Sequence, residues 1–442
     1  MRFVAGRGLA ALADQFLLFA IPLLVYKTTG SVAASGLVFL IEWLPRVLFV
    51  PVAGVLADRI DGYKLYVGAD SVRALLAMGA FAAVQAWPGA SVVTLSILAA
   101  SMSLASAQAY IAMETTLPRF VPPEHMVRAQ SVIQGTEQAS TVLGPAVAAA
   151  GAALLGTVDL LLATGVLFAL TTVNVVTLRS TLRRAVTNEE PTSLRSVVAG
   201  VAEGARTLFK LPAMVGLVGL TMMVNLMVGV GMATSAAITT GTFGKSDGFF
   251  AVLSFAEGLL SLLIFFVIPK LSQHVTSLVA ILGAFVVICL GGLTIGQASS
   301  FGQFVIGYVL LIGTVGVLNV FIRAERIKRI PREHLGKTIG LIVLLNQASL
   351  PVSGLVVATF AKAHGAQAVM TGSVVGAVLV AASLLPLVLK LRYSDAHFDP
   401  SPHHRRHRPV RGRHRLHGSR RDVYRYTRTD GDAAAAPAGN PD

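Results

Sequence analysis

Six carboxylates fall inside long apolar runs of this chain: Asp14, Glu42, Asp70, Glu114, Glu137 and Glu257. Glu42 is followed four residues later by Arg46, and Asp70 three residues later by Arg73. Both spacings put acid and base on one face of a helix, where they can neutralise each other. These two read as intramembrane charge pairs, the least costly way to keep charge in a helix bundle. Asp14, Glu137 and Glu257 have no such partner on their own helices. A carboxylate in a low-dielectric span must find a countercharge on another helix or exchange a proton. These three are therefore the proton-coupling candidates. Glu114 lies near the inner end of its run, within reach of headgroups.

Other chemistries find no residues to carry them. The sequence holds no Gly-rich phosphate loop ending in Gly-Lys-Ser/Thr, no Cys/His cluster at metal-ligand spacing and no nucleophile elbow. His125, His274, His334 and His364 fall at expected helix ends and read as surface or capping residues; the single cysteine, Cys289, reads as packing. The expectation is a protein that is not an enzyme and needs no metal or cofactor.

The elements that position the charges follow from composition. Hydrophobic residues make up 54% of the 442 and charged residues 13%, against about a quarter charged in a soluble domain. Mean hydropathy is +0.70. Apolar runs of about 20 residues, the length of a bilayer-crossing helix, can be marked off twelve times, from 4–26 to 368–391. The first is long enough to be a retained helix rather than a cleaved leader. Basic residues fall in alternate connections: Arg59 and Lys64, Arg119, the stretch from Arg183 to Lys210, Lys270, and Arg326 to Arg332. The intervening connections carry only Lys27, Lys245 and Lys362. By the positive-inside rule both termini are cytoplasmic and the protein is multi-pass in the cell's inner membrane.

An internal repeat divides the chain. Pro122-Pro123-Glu124-His125-Met126 recurs as Pro331-Arg332-Glu333-His334-Leu335, and Gln138-Ala139-Ser140 as Gln347-Ala348-Ser349 at the same offset. The domain reading is a six-helix bundle over 1–180, a linker over 181–210 with an amphipathic helix near 197–209, a second bundle over 211–392, and a basic tail over 393–442. That tail has too few apolar residues to bury and should be disordered. The net charge of +14 belongs largely to loops and tail. It suits anionic lipid at the cytoplasmic face, not nucleic acid.

Residues 54–64, GVLADRIDGYK, form a charged turn between two apolar runs. Gly54, Asp58, Arg59 and Lys64 resemble the signature loop between the second and third helices of the major facilitator superfamily. Asp61 stands where the family usually has Gly, and Gly62 and Tyr63 where it has basic residues. Gly144-Pro145 resembles the core of that family's antiporter motif, with Ala148 and Ala149 in place of later glycines. No Arg occurs over 101–116, where drug–proton antiporters carry one. Asp14-Gln15, the run from Ala20 to Tyr26 followed by Thr29-Gly30-Ser31, and Asp70-x-x-Arg73 are similar to the macrolide-efflux and enterobactin-exporter type of facilitator. The resemblance implies an all-α membrane protein, twelve transmembrane helices in two six-helix pseudo-symmetric bundles, with the substrate between halves that rock. The 54–64 loop is then a conformational gate, and Asp14, on a cavity-lining helix, the first choice for proton coupling.

Helices one, four, seven and ten line the cavity in that family. Here they contribute Phe16, Phe19, Gln108, Tyr110, Met113, Met223, Asn225, Met227, Tyr308 and Asn319, a Met-rich set with aromatics and amides that suits bulky, partly apolar cargo. The expected function is proton-coupled efflux of an amphiphilic small molecule: a drug, macrolide or siderophore-like compound. An uptake carrier or lysophospholipid flippase of the same fold is the alternative.

Overall fold

The computed structural model describes residues 2–121, 126–178 and 194–391. The first part of the linker and the tail after Leu391 lie outside the described residues, as do Pro122 to His125 of the repeat. The first six long helices are α1 (Arg2–Thr29), α2 (Val32–Arg59), α3 (Gly62–Ala86), α4 (Ser91–Phe120), α5 (Met126–Leu155) and α6 (Asp159–Thr177). The linker contributes α7 (Leu194–Phe209). Then come α8 (Pro212–Ala236), which runs into a π turn over Ala237–Thr242, α9 (Asp247–His274) and α10 (Ser277–Gly296). The tenth span is α11 (Phe301–Gly313) followed by α12 (Val315–Arg329); α13 (Leu335–His364) and α14 (Ala366–Leu389) complete the set. Twelve helical spans are long and apolar enough to cross a bilayer, and no strand occurs among the described residues.

Local chemistry sets the helix ends. The Ser31 hydroxyl caps α2 by accepting from the Ala34 N–H, and Asp61 caps α3 by accepting from the Lys64 N–H. Asp61 thus has a structural use at the position where the family favours Gly. Gly30 and Gly365, at φ +61° and +80°, turn the chain between α1 and α2 and between α13 and α14. The tenth span runs to Arg329 rather than stopping near Ile322, because a helix need not end where the lipid does. Its basic last turn simply continues beyond the apolar part.

The repeat has a structural counterpart. The stretches Met126–Leu155 of α5 and Leu335–His364 of α13, equivalent in the repeat, are both helical. Large apolar side chains such as Leu75, Leu154 and Phe266 face outward, as lipid requires. Inside, without a hydrophobic drive between helices, small residues allow close backbone approach. A Cβ on Gly291 of α10 would lie 2.6 Å from the Leu311 nitrogen of α11, and one on Gly165 of α6 would run into Met78 of α3.

The two halves meet along α2 with α13 and α5 with α9. A Cβ on Gly36 would lie 2.6 Å from the Ala358 nitrogen, and one on Gly354 2.6 Å from the Leu40 nitrogen. The two backbones therefore cross almost in contact. On the other seam, Gly258 of α9 fits against the Val142 Cα of α5.

Candidate transport site

α1 carries a base and an acid two turns apart, and each is held by a different helix. The Arg7 Nε–H donates to Glu137 Oε1 of α5 at 2.7 Å. Asp14 Oδ1 accepts from one amino group of Arg73 on α3, while the other donates to Asp70 Oδ1 at 3.1 Å. Arg73 lies over the Phe168 ring of α6, 3.7 Å from its centroid. The Arg73 and Asp70 side chains are 1% exposed. The cluster therefore ties α1, α3, α5 and α6 together through its charges.

Such a network adds little net stability. Desolvating the ions roughly cancels their attraction, so an apolar replacement of the whole set is often neutral. Removing one member is different, because it strands a buried charge at a cost of about 3–5 kcal/mol.

The cluster opens onto a cavity of ≈ 190 Å³ enclosed by α1, α2, α3 and α4. Arg7, Asp14, Glu42, Arg46 and Arg73 line it, with Trp43, Ser103 and Tyr110. Its apolar wall comes from Leu17, Leu18, Ile21 and Met102. Glu42 and Arg46 do not form the direct pair that their spacing suggests. Arg46 lies over the Trp43 ring at 5.3 Å, which diverts its guanidinium, and Glu42 has no hydrogen bond or ion pair among the described residues.

The sequence reading left Asp14 and Glu137 without partners; the structure supplies Arg73 and Arg7 from neighbouring helices. Glu257 of α9 has no ion-pair partner among the described residues, though it interacts electrostatically with Tyr308. Gly144 fits against the Gln15 side chain, where an added Cβ would overlap, so the Gly144-Pro145 motif brings α5 close to α1. Gly54 falls within α2, and the side chains of Asp58, Arg59 and Glu114 lie outside the described residues; Lys64 is exposed at the start of α3.

Of the ten residues expected to line a cavity between the halves, Tyr110 alone lines the cavity found. Met113, Met227 and Tyr308 are buried in helix packing. Phe19 packs on Phe250 across the halves at 5.3 Å, Phe16 faces an apolar groove beside α6, and Asn225 donates to the Asn346 carbonyl at 3.3 Å. Gln108 is buried with neither end of its amide bonded, while Met223 and Asn319 are half-buried. The physical reason is where the space lies. The halves are packed together around α1, α8 and α9, and the cavity sits inside the first half. Arg7 was the missed residue. It stands seven positions before Asp14, on the same helix face, and that spacing was the available signal.

At the α1–α2 end the halves are closed. Lys27 Nζ meets Asp247 Oδ2 at 2.5 Å, and the Thr157 hydroxyl donates to the same oxygen at 3.2 Å. Gly241 leaves room only for the Tyr26 ring.

Twelve spans in two packed sets, with buried ion pairs opening on an interior cavity, define a multi-pass membrane transporter. The chain belongs to the Major Facilitator Superfamily, which it matches over residues 3–354. Among curated proteins it is similar to macrolide efflux protein A of Streptococcus pyogenes, 29% identical over 146 residues. That stretch is 33% of this chain and 36% of the relative, so the likeness spans about a third of each. Solved structures share the fold at low identity. A variant of the nucleoside transporter NupG aligns at TM-score 0.70 and 13% identity, over 87% of this chain and 99% of that one. A bacterial homologue of the iron transporter ferroportin, in an inward-facing state, aligns at 0.68 and 17%, over 87% and 97%.

Proposed function

We propose that this transporter exports amphiphilic small molecules in exchange for protons, by rocking its two halves about the α2–α13 and α5–α9 seams. The observation that carries the reading is Arg73, shared between Asp70 on its own helix and Asp14 on α1. A proton on Asp14 cancels its hold on Arg73 and leaves the Arg73–Asp70 pair intact. α1 is then freed from α3 beside the cavity. Proton binding thereby couples to helix movement with no uncompensated charge left behind. Glu137 with Arg7 can act in the same way, and Glu257 is the third candidate. The partial likeness to a macrolide efflux protein supports outward transport.

Alternate positive connections put both termini in the cytoplasm of the inner membrane. On that orientation the closed α1–α2 end faces outward. Opening that end means breaking the partly exposed Lys27–Asp247 pair, which holds by about 0–1 kcal/mol, while the glycine seam lets α2 and α13 slide. The 54–64 loop, with Asp58, closes the opposite end when the cycle turns over. The basic tail rests on anionic lipid.

Two measurements test this. Cells carrying the protein should resist some members of a dye and antibiotic panel and retain less of them. Asp14→Asn should abolish the dependence of efflux on the pH gradient while the protein still folds. Accumulation of the same compounds would mean uptake, and unchanged gradient dependence in Asp14→Asn would move the proton site elsewhere.

A further inference from the structure

The cavity's charges do not balance. Three guanidiniums (Arg7, Arg46 and Arg73) and two carboxylates (Asp14 and Glu42) line it; with Glu137 and Asp70, which pair with Arg7 and Arg73 behind the lining, four carboxylates meet three guanidiniums, a formal excess of one negative charge among the described residues. Asp14, Asp70 and Glu137 are each engaged by an arginine. Glu42 lines the cavity outside ion-pair distance of any base among the described residues: Arg46 acts on it electrostatically but lies over Trp43. A lone charge in a membrane interior is costly, so the cavity favours a positive guest. An anionic guest would pair with Arg46 but double the excess negative charge.

Two further groups point the same way in space. The Trp43 indole N–H and the Ser103 hydroxyl are buried at this cavity without a hydrogen-bond partner, and Ser103 is only 7% exposed. An indole N–H can only donate, so it needs an acceptor atom that the protein does not supply. Size limits the guest as well. A cavity of ≈ 190 Å³ slightly exceeds the roughly 150 Å³ that holds benzene, and is smaller than the ~300 Å³ or more of drug-sized pockets. It holds the head of a larger molecule.

We propose that Glu42 anchors a protonated amine on the cargo, with Trp43 and Ser103 hydrogen-bonding acceptor oxygens beside that amine. The cargo class is a cationic amphiphile: an alkylamine head next to carbonyl, sulfonyl or ether oxygens, on an apolar body that extends out of the cavity. The proposal rests on the transport reading above only in taking the cavity's guest to be the cargo.

The test is fluorescence titration of the purified full-length protein in lipid nanodiscs with dansylcadaverine, which is cationic, and its uncharged N-acetyl derivative. The wild type should prefer the amine. Glu42→Gln should weaken amine binding at least tenfold and change N-acetyl binding less than twofold, whereas Glu42→Asp should stay within threefold for both. Equal binding of the two probes to the wild type, or unchanged or equally weakened binding in Glu42→Gln, overturns the proposal. Glu42→Asp keeps the charge, so its retained binding separates lost charge from lost folding. Export assays of both probes in cells separate the two readings. Export of the N-acetyl probe but not the amine leaves export standing and sinks the amine site. Glu42-dependent amine binding with no export does the reverse.

Discussion

The two halves of this protein share a plan and differ in where they put charge. The first holds seven ionisable side chains at or beside its cavity, from Arg7 to Glu137. In the second, Glu257 is the mid-span charge among the described residues; Glu325, with Arg329 at 2.8 Å, belongs to the end of α12. The repeat makes the comparison residue-specific. Gln138-Ala139-Ser140 matches Gln347-Ala348-Ser349, so Glu137 corresponds to Asn346. Where Arg7 of α1 binds Glu137 of α5, Asn225 of α8 donates to the Asn346 backbone of α13. An amide contact thus holds the second half where an ion pair holds the first. Since α5 and α13 each run for 30 residues, one with the ion pair and one with the amide, a long helix at this place does not by itself require the buried charges. On the proposed reading they serve transport.

The strongest way to break this contrast is at Arg73. Arg73→Met strands Asp14 and Asp70 and should cost about 3–5 kcal/mol, seen as a large drop in thermal unfolding temperature, with transport lost. Adding Asp14→Asn and Asp70→Asn should restore most of the stability and none of the transport. Restored transport in the triple variant would mean that the cluster is structural after all.

A second substitution rewrites the first half in the manner of the second. Arg7→Asn with Glu137→Asn replaces the ion pair by amides and should alter stability by no more than about 1 kcal/mol, while transport falls at least tenfold. Unfolding midpoints and efflux rates from the same preparations decide it. A loss of stability as large as that of Arg73→Met would show the pair to be a strut.

How much of this was legible in the sequence follows from the range of each interaction. The twelve spans and the repeat are written in runs of apolar residues and in motifs at fixed offsets, both local signals. The Asp70–Arg73 pair was legible for the same reason, lying within one turn. Arg73 reaching Asp14, and Arg7 reaching Glu137, were not, because each bond joins helices 59 or 130 residues apart. Glu42 and Arg46 show the limit of spacing itself. Their separation permits a pair, but the Trp43 ring between them offers the guanidinium another place to lie. The cavity's location was illegible because it depends on how α1 to α4 pack within the first half, and apolar Phe and Met side chains serve equally as lining or as packing.

Glu257 sharpens the contrast from the other side. If the second half is the passive partner, Glu257→Gln should change the efflux rate less than twofold and leave its dependence on the pH gradient intact. Loss of that dependence would move the proton site into the second half and end the asymmetry. The measurement is initial efflux rate in vesicles at several imposed gradients.

The smallest expected effect lies outside the membrane, where α7 docks on the start of α13. Glu203 receives Lys337 Nζ at 2.5 Å, and His334 Nδ1 lies 2.8 Å from its other oxygen. Gly204 fits against the Lys337 backbone, where a Cβ would overlap. The hydrogen bonds from Lys337 and His334 hold the Glu203 carboxyl below its ordinary range. A group whose folded value is depressed stabilises the docked state above its unfolded value, and loses that contribution as pH falls through the folded one. Titration of Glu203 should therefore leave α7 docked throughout the range above an ordinary carboxyl's titration and loosen it only at pH below that range. The contact is solvated and screened by salt, so Glu203→Gln should raise amide exchange over 194–209 only a few-fold, with efflux near wild type. Efflux that collapses in Glu203→Gln would make the linker, and not the charged first half, the element that sets the rate.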